Sequence, residues 1–483
     1  MKKILPLLIL MFFATAVFAQ AKKTDGLKKS ITFEKILKAD TGLNQIGWMG
    51  TRSSKMIKSS QWSIGCETLD RDFAQFSKYK KYVGALGAKK GRLQSGWAKT
   101  EKQKGVYDFA WMDECVYGLH EMGVEPRISL GYGNPIYGSE IDLGAKVDRL
   151  VNNPEAMAAW LKYVETTVKR YKDVCDEWEI WNEPYNQEGV YVRLLIPTAE
   201  LIKKIQPNAI TSAETIYRQD PKGIADRKAM FDALKKEGKT DLIDQWSYHP
   251  YVRNPDSVYP LVDALQKELA QYSPKWTLYQ GEVGCPSQLE WTHALSFYEW
   301  TEYSQVKWDL RRMFGDRMRK IQTSVFTIID LRYYNMLQSF GLLRANLNDT
   351  VVYKRPSYYA VQHVMGYFDD TVEPVEFAKY QASIDRPITI GRFEKNKTPI
   401  LVIWFGDEIP SDSLQWDKVN LTVNGVSFKD PVYVELISGK ILSLDKIWKS
   451  SKENAEFKSL PVWDSPMMIV ERDQIKIFDK QVK

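Results

Sequence analysis

Two glutamates in this 483-residue chain stand in settings that could do chemistry. Glu183 closes the run WEIWNEP, and Glu282 sits in QGEVG. Two carboxyl groups that face each other can divide one reaction between them. The first protonates a leaving oxygen, and the second attacks the carbon which that oxygen leaves; this needs the groups about 5–5.5 Å apart. The two must titrate apart. A base such as Arg92 near Glu282 would keep the attacking carboxylate ionised.

Something must hold these residues face to face, and the chain offers a repeating scaffold. Short apolar runs at 62–66, 91–95, 124–130, 175–181, 208–214, 242–249, 275–282 and 323–330 read as strands. Amphipathic stretches between and after them, at 70–86, 108–122, 153–171, 190–205, 222–237, 256–272, up to about 321, and at 355–367, read as helices. Strands alternating with helices imply a parallel sheet, and eight such units imply a closed (β/α)8 barrel. An open doubly wound sheet is the competing reading. It would want fewer units and a glycine-rich turn after the first strand, where GCETLD carries one glycine.

A barrel of this kind presents its chemistry at the C-terminal ends of its strands. The fourth strand ends in Trp181, Asn182 and Glu183, and Pro184 then stops the ladder. The sixth ends in His249 and Tyr251, the seventh in Glu282, and the second carries Arg92. Glu67 follows the first strand, and Glu214 and Asp330 end the fifth and eighth. Carboxylates on strands four and seven would face each other across the mouth, as a retaining glycosidase needs. Each residue also has a structural reading. Glu183 could be a first-turn acid favoured by a helix dipole, His249 a satisfied core histidine, and Arg92 the partner of a barrel-floor acid. Glu67 and Glu214 could be solvated loop acids. Trp97, Trp181 and Tyr132 could stack on sugar faces or pack the core.

WNEP at 181–184, QGEVG at 280–284, HPY at 249–251 and Arg92 together resemble clan A of the glycoside hydrolases. GWAKTEKQKGVYDFAWMDE at 96–114 is similar to a stretch found in several of its families, the family 39 and family 5 enzymes being the nearest. The resemblance covers about residues 60–368. It implies Glu183 as acid/base and Glu282 as nucleophile. It implies Asn182 as a partner of the sugar 2-hydroxyl, Tyr251 and Arg92 as residues that orient the nucleophile, and His249 on the substrate side. Some family 5 enzymes carry a histidine after the third strand. LGYGNP at 130–135 stands there instead, so Tyr132 and Asn134 enter as candidate substrate contacts and the sugar stays open.

The rest of the chain sets the context. Lys2 and Lys3 followed by LPLLILMFFATAVFA read as a secretory signal peptide over 1–19, which implies an exported protein with no lipid-anchor cysteine after Ala19. Residues 20–60 read as a partly ordered lead-in, 61–369 as the catalytic barrel, and 370–483 as a C-terminal antiparallel β-sandwich rich in strand-like runs and turn signals. The net charge of +6 is spread over 67 basic and 61 acidic residues, so neither a nucleic-acid arm nor a membrane surface is indicated. Four spaced cysteines allow one disulfide or separate buried thiols. Four scattered histidines argue against a metal-dependent hydrolase, and two carboxylates need no cofactor. The expected partner is a carbohydrate substrate. The alternatives are a transglycosylase with the same residues and a non-catalytic carbohydrate-binding barrel, which should have lost one carboxylate.

Overall fold

The computed structural model describes residues 30–140, 146–184, 188–215, 218, 220–334 and 336–481. The signal-peptide reading, and the lead-in before residue 30, lie outside the described residues. After a first strand, β1 (Gln45–Met49), eight strands close into a parallel barrel in chain order. They are β2 (Trp62–Gly65), β3 (Lys90–Gln94), β4 (Glu125–Leu130), β5 (Glu177–Ile180), β6 (Ile210–Glu214), β7 (Gln245–Tyr248), β8 (Thr277–Val283) and β9 (Gln322–Val325). Closure is direct: Trp62, Ser63 and Ile64 of β2 stand opposite Thr323, Ser324 and Val325 of β9. The open-sheet reading is thereby excluded.

The helices form for local reasons and then bury one stripe. Pro154–Tyr171 starts at Asn153, whose side chain accepts hydrogen bonds from the amides of Glu155 and Ala156. That cap satisfies two of the first-turn donors, and Pro154 fits the first helical position. Trp160, Tyr163, Val164, Thr167, Val168 and Tyr171 recur at three- and four-residue spacing, and all are buried. Side chains at that spacing share one helix face, which here covers the barrel wall.

Beyond the barrel, an eight-stranded antiparallel sheet packs against the last two barrel helices, and a four-stranded sheet covers its other face. Alternation along Thr398–Phe405 shows how. Ile400, Val402 and Trp404 join the barrel-side core, while Leu401, Ile403 and Phe405 meet Val419, Leu421 and Phe457 of the small sheet. The helix Glu302–Met318 is polar in sequence yet almost wholly buried, because it lies between barrel and sheet. Lys307 pairs there with Asp464 at 2.5 Å, and Arg311 with Asp256 at 2.6 Å.

The lead-in contributes one strand to the C-terminal sheet. Residues 45–49 form β1, which pairs with Lys440–Ser443 and Ile477–Phe478 and so belongs to the eight-stranded sheet. All four cysteines are buried free thiols, so the disulfide alternative falls. Among the described residues no helix is long and apolar enough to cross a membrane.

Candidate active site

Successive strand residues point to opposite faces, so Asn182 and Glu183 could not both face the barrel mouth if β5 simply ran on. The chain breaks the alternation. Trp181 (φ 68°) and Glu183 (φ 52°) both adopt left-handed backbone, which costs a non-glycine residue about 1–3 kcal/mol. Surrounding contacts hold the turn. The Trp181 amide donates to the Leu130 carbonyl at 2.8 Å, and the Glu183 amide donates to Glu214 at 3.2 Å. The Trp181 ring lies edge-on to Trp160 and Tyr132, each at 5.7 Å.

A second irregularity aims Glu282. Against β9, one extra residue enters β8 between Gln280 and Val283, and such a bulge re-aims side chains. Gly281 beside it has no room for a side chain. A Cβ there would sit 2.1 Å from the Ser247 hydroxyl and 3.1 Å from His249 Nε2.

Arg92 is the hub and has no exposed surface. Its Nε and Nη2 donate to the two oxygens of Glu179, both at 2.8 Å. Nη2 also donates to Asn182 Oδ1 at 2.7 Å. Nη1 donates to Glu67 Oε1 at 2.7 Å and to Glu282 Oε2 at 3.1 Å. The Tyr251 hydroxyl donates to the other Glu282 oxygen at 2.9 Å, and Asn182 Nδ2 donates to the Tyr132 hydroxyl at 2.6 Å. Across the mouth, His249 Nδ1 lies 2.9 Å from Glu183 Oε1 and 3.2 Å from Glu214 Oε1. An oxygen of Glu183, an oxygen of Glu282 and a ring nitrogen of His249 all lie within 4.8 Å of one another.

Five carboxyl groups share this space with Arg92 and His249, and burial opposes the charge on four of them, Glu67, Glu179, Glu214 and Glu282. Burial pushes the Glu282 carboxyl up, but the charges of His249 and Arg92 and the Tyr251 hydroxyl outweigh it and hold it below 4.5. Burial pushes Glu67 to about 8 and Glu214 to about 7, although Arg92 and His249 respectively pull them down. Burial lowers His249, yet Glu214, Glu183 and Glu282 together raise it to about 10. These carboxylates favour the protonated imidazole, and its Nδ1 faces both Glu183 and Glu214. Glu179, Glu214 and His249 form a second set with metal-ligand spacing. A metal would have to displace the His249 proton, because ligation needs its lone pair.

The structure thus brings Glu183, Glu282, Asn182, Tyr251, His249, Arg92, Tyr132 and Glu67 into one network. Three other candidates have their side chains enclosed by protein. Trp97 is fully buried: its ring stacks on Tyr137 at 5.4 Å and on Tyr163 at 5.8 Å, and its Nε1 donates to Glu101 at 2.5 Å. Trp181 is equally enclosed. Asn134 spends its side chain on the Glu101 carbonyl and on the Ile136 amide. Asp330, left ambiguous by sequence, is buried and pairs with both terminal nitrogens of Arg355. Glu179 is the residue sequence reasoning missed. A charged residue inside the apolar run WEIW, in phase with Trp181, was the signal available.

Trp97→Ala should therefore act on stability. Truncating a buried aromatic costs roughly 3–5 kcal/mol. The urea midpoint should drop accordingly, with KM changed less than about twofold on that account. A large KM rise at unchanged stability would put Trp97 back on the substrate.

A cavity of about 320 Å³ opens beside the network, lined by Arg71, Lys99, Tyr132, Gly133 and Tyr334. Arg71 lies 5.0 Å over the Tyr132 ring, and Tyr334 is largely exposed at its edge.

No protein-family profile matches the sequence. Solved structures do resemble the fold. A family 39 glycoside hydrolase from the gut symbiont Bacteroides cellulosilyticus aligns with a TM-score of 0.60 at 17% identity, over 85% of this chain and 81% of that one. A family 30 endoxylanase from Clostridium papyrosolvens aligns at 0.55 and 13% identity, over 89% and 98%. An endo-β1,6-glucanase aligns at 0.52 and 10%, over 88% and 93%. At these identities the likeness is one of architecture: the chain shares with these proteins a (β/α)8 barrel with an attached β-sandwich.

Proposed function

We propose that this chain is an exported retaining glycoside hydrolase that cleaves O-glycosidic bonds of an oligo- or polysaccharide. One observation carries the reading: carboxylate oxygens of Glu183 and Glu282 lie within 4.8 Å across the barrel mouth. Retaining pairs sit at about 5–5.5 Å, whereas inverting pairs need about 6.5–9.5 Å to admit a water. Two donors fix Glu282 as an anion, as a nucleophile requires. Export rests on the sequence of residues 1–19.

In the first step Glu282 attacks the anomeric carbon while Glu183 gives its proton to the departing oxygen. A glycosyl ester on Glu282 and a free alcohol result. In the second step Glu183 takes a proton from water, the hydroxide attacks the same carbon, and Glu282 leaves as carboxylate. Two displacements restore the starting configuration. Asn182 is held by Arg92 and Tyr132 where it can meet a hydroxyl next to the anomeric carbon. His249 bonds Glu183 and bridges it to Glu214.

Proton NMR of the sugar first released tests this. A panel of aryl α- and β-glycosides and polysaccharides finds the substrate, and the anomer seen before mutarotation reports the mechanism. Retention is expected. Inversion would refute the double displacement.

A further inference from the structure

The two-carboxylate scheme gives Glu67 nothing to do, yet Glu67 sits against Glu282. Its side chain is 1% exposed. One Arg92 nitrogen, Nη1, serves both residues, at 2.7 Å to Glu67 and 3.1 Å to Glu282. The second Glu67 oxygen, Oε2, is buried and receives no donor. Sharing one Arg92 nitrogen holds the two carboxyl groups side by side. Two carboxylates that share one site cannot both stay charged, so one of them holds a proton. Both oxygens of Glu282 already accept, from Tyr251 and Arg92, whereas Glu67 accepts once. The proton therefore belongs on Glu67.

We propose that Glu67 is a positioning residue: it stays a neutral acid and donates a hydrogen bond to Glu282. This rests on the reading of Glu282 as the nucleophile. The bond adds a third donor to the attacking carboxylate without adding a like charge beside it. It also steadies Glu282 when that residue leaves as an anion in the second step. The environment agrees. Burial raises the Glu67 carboxyl to about 8, with Arg92 opposing and Glu282 adding. Cys66, Tyr79, Tyr251 and Tyr333 also feel its charge, and burial raises each, so all stay neutral at pH 7, while Arg92 holds its other carboxylate partner, Glu179, ionised.

The test has a spectroscopic arm and a kinetic arm, both on the whole folded protein. Infrared difference spectra of wild type minus Glu67→Gln report the protonation of Glu67 directly. A protonated carboxyl band at pH 7 that titrates away near pH 8 is expected. An ionised Glu67 at pH 6 overturns the proposal. The kinetic arm uses the p-nitrophenyl glycoside that the panel identifies. Glu67→Gln keeps a neutral donor, so the acid limb of kcat/KM should stay in place. Glu67→Ala removes the donor, so that limb should move to higher pH and kcat/KM should fall roughly 10–100-fold, the weight of a hydrogen bond to a charged group. If Glu67 were an anion, Glu67→Gln would remove a negative charge and move the limb to lower pH; that shift also overturns the proposal. A panel without turnover counts against the hydrolase reading, and the spectra still decide where the proton is.

Discussion

Glu282→Ala should lower kcat by on the order of 10⁵–10⁶-fold, as loss of a covalent nucleophile does when the rest of a site survives. That is about 7–8 kcal/mol of barrier at 1.36 kcal/mol per factor of ten. The fold should tolerate the change. Arg92 keeps Glu179, Glu67 and Asn182 as acceptors. Circular dichroism and Tm should therefore stay close to wild type, which separates lost chemistry from lost structure. Azide should restore turnover, because a small anion can occupy the space of the missing carboxylate. It attacks once, so the glycosyl azide should carry the inverted configuration. The wild-type pH profile supplies an independent check. Glu282 is held below the ordinary carboxyl range, so the acid limb of kcat/KM should lie on the acid side of a free glutamate, with activity lost as pH falls through it. Glu282→Ala with more than about 1% of wild-type kcat, far above what nucleophile removal leaves, would end the assignment.

Much of the barrel was legible in the order of its elements. Short strands alternating with amphipathic helices announce a parallel barrel, and in WSIG and RISL every second residue is apolar. The two glutamates stood out because a barrel puts its strand ends at one mouth. What sequence could not carry is geometry set by non-local neighbours. The left-handed turns at Trp181 and Glu183 exist because Leu130 and Glu214, on other strands, receive their amides. The Glu282 bulge is visible only against β9. Glu179 reads as an oddity until Arg92 appears 2.8 Å away. Trp97 and Asn134 show the same limit: an aromatic or an amide near a strand end looks alike in sequence whether or not it also meets Glu101. β1 joins a sheet whose nearest partner lies some 400 residues on, and no local pattern announces that.

Glu183→Ala should fail selectively, and the selectivity is the stronger evidence. A general acid matters in proportion to how badly the departing oxygen needs a proton. With a sugar or alkyl leaving group, the first step should slow by roughly 10²–10⁴-fold. With a dinitrophenolate leaving group, which departs unaided, that step should barely change. The second step still needs Glu183 to take a proton from water, so the glycosyl ester should accumulate and the activated substrate should show a burst followed by slow turnover. The low apparent KM that accompanies such accumulation is a further mark. Azide needs no deprotonation, so it should relieve the slow step and give a glycosyl azide of retained configuration, opposite to the outcome for Glu282→Ala. The fold should persist, since His249 keeps Glu214 at 3.2 Å. Equal losses on activated and unactivated substrates would mean that Glu183 shapes the site without moving a proton, and the division of labour between the two glutamates would have to be redrawn.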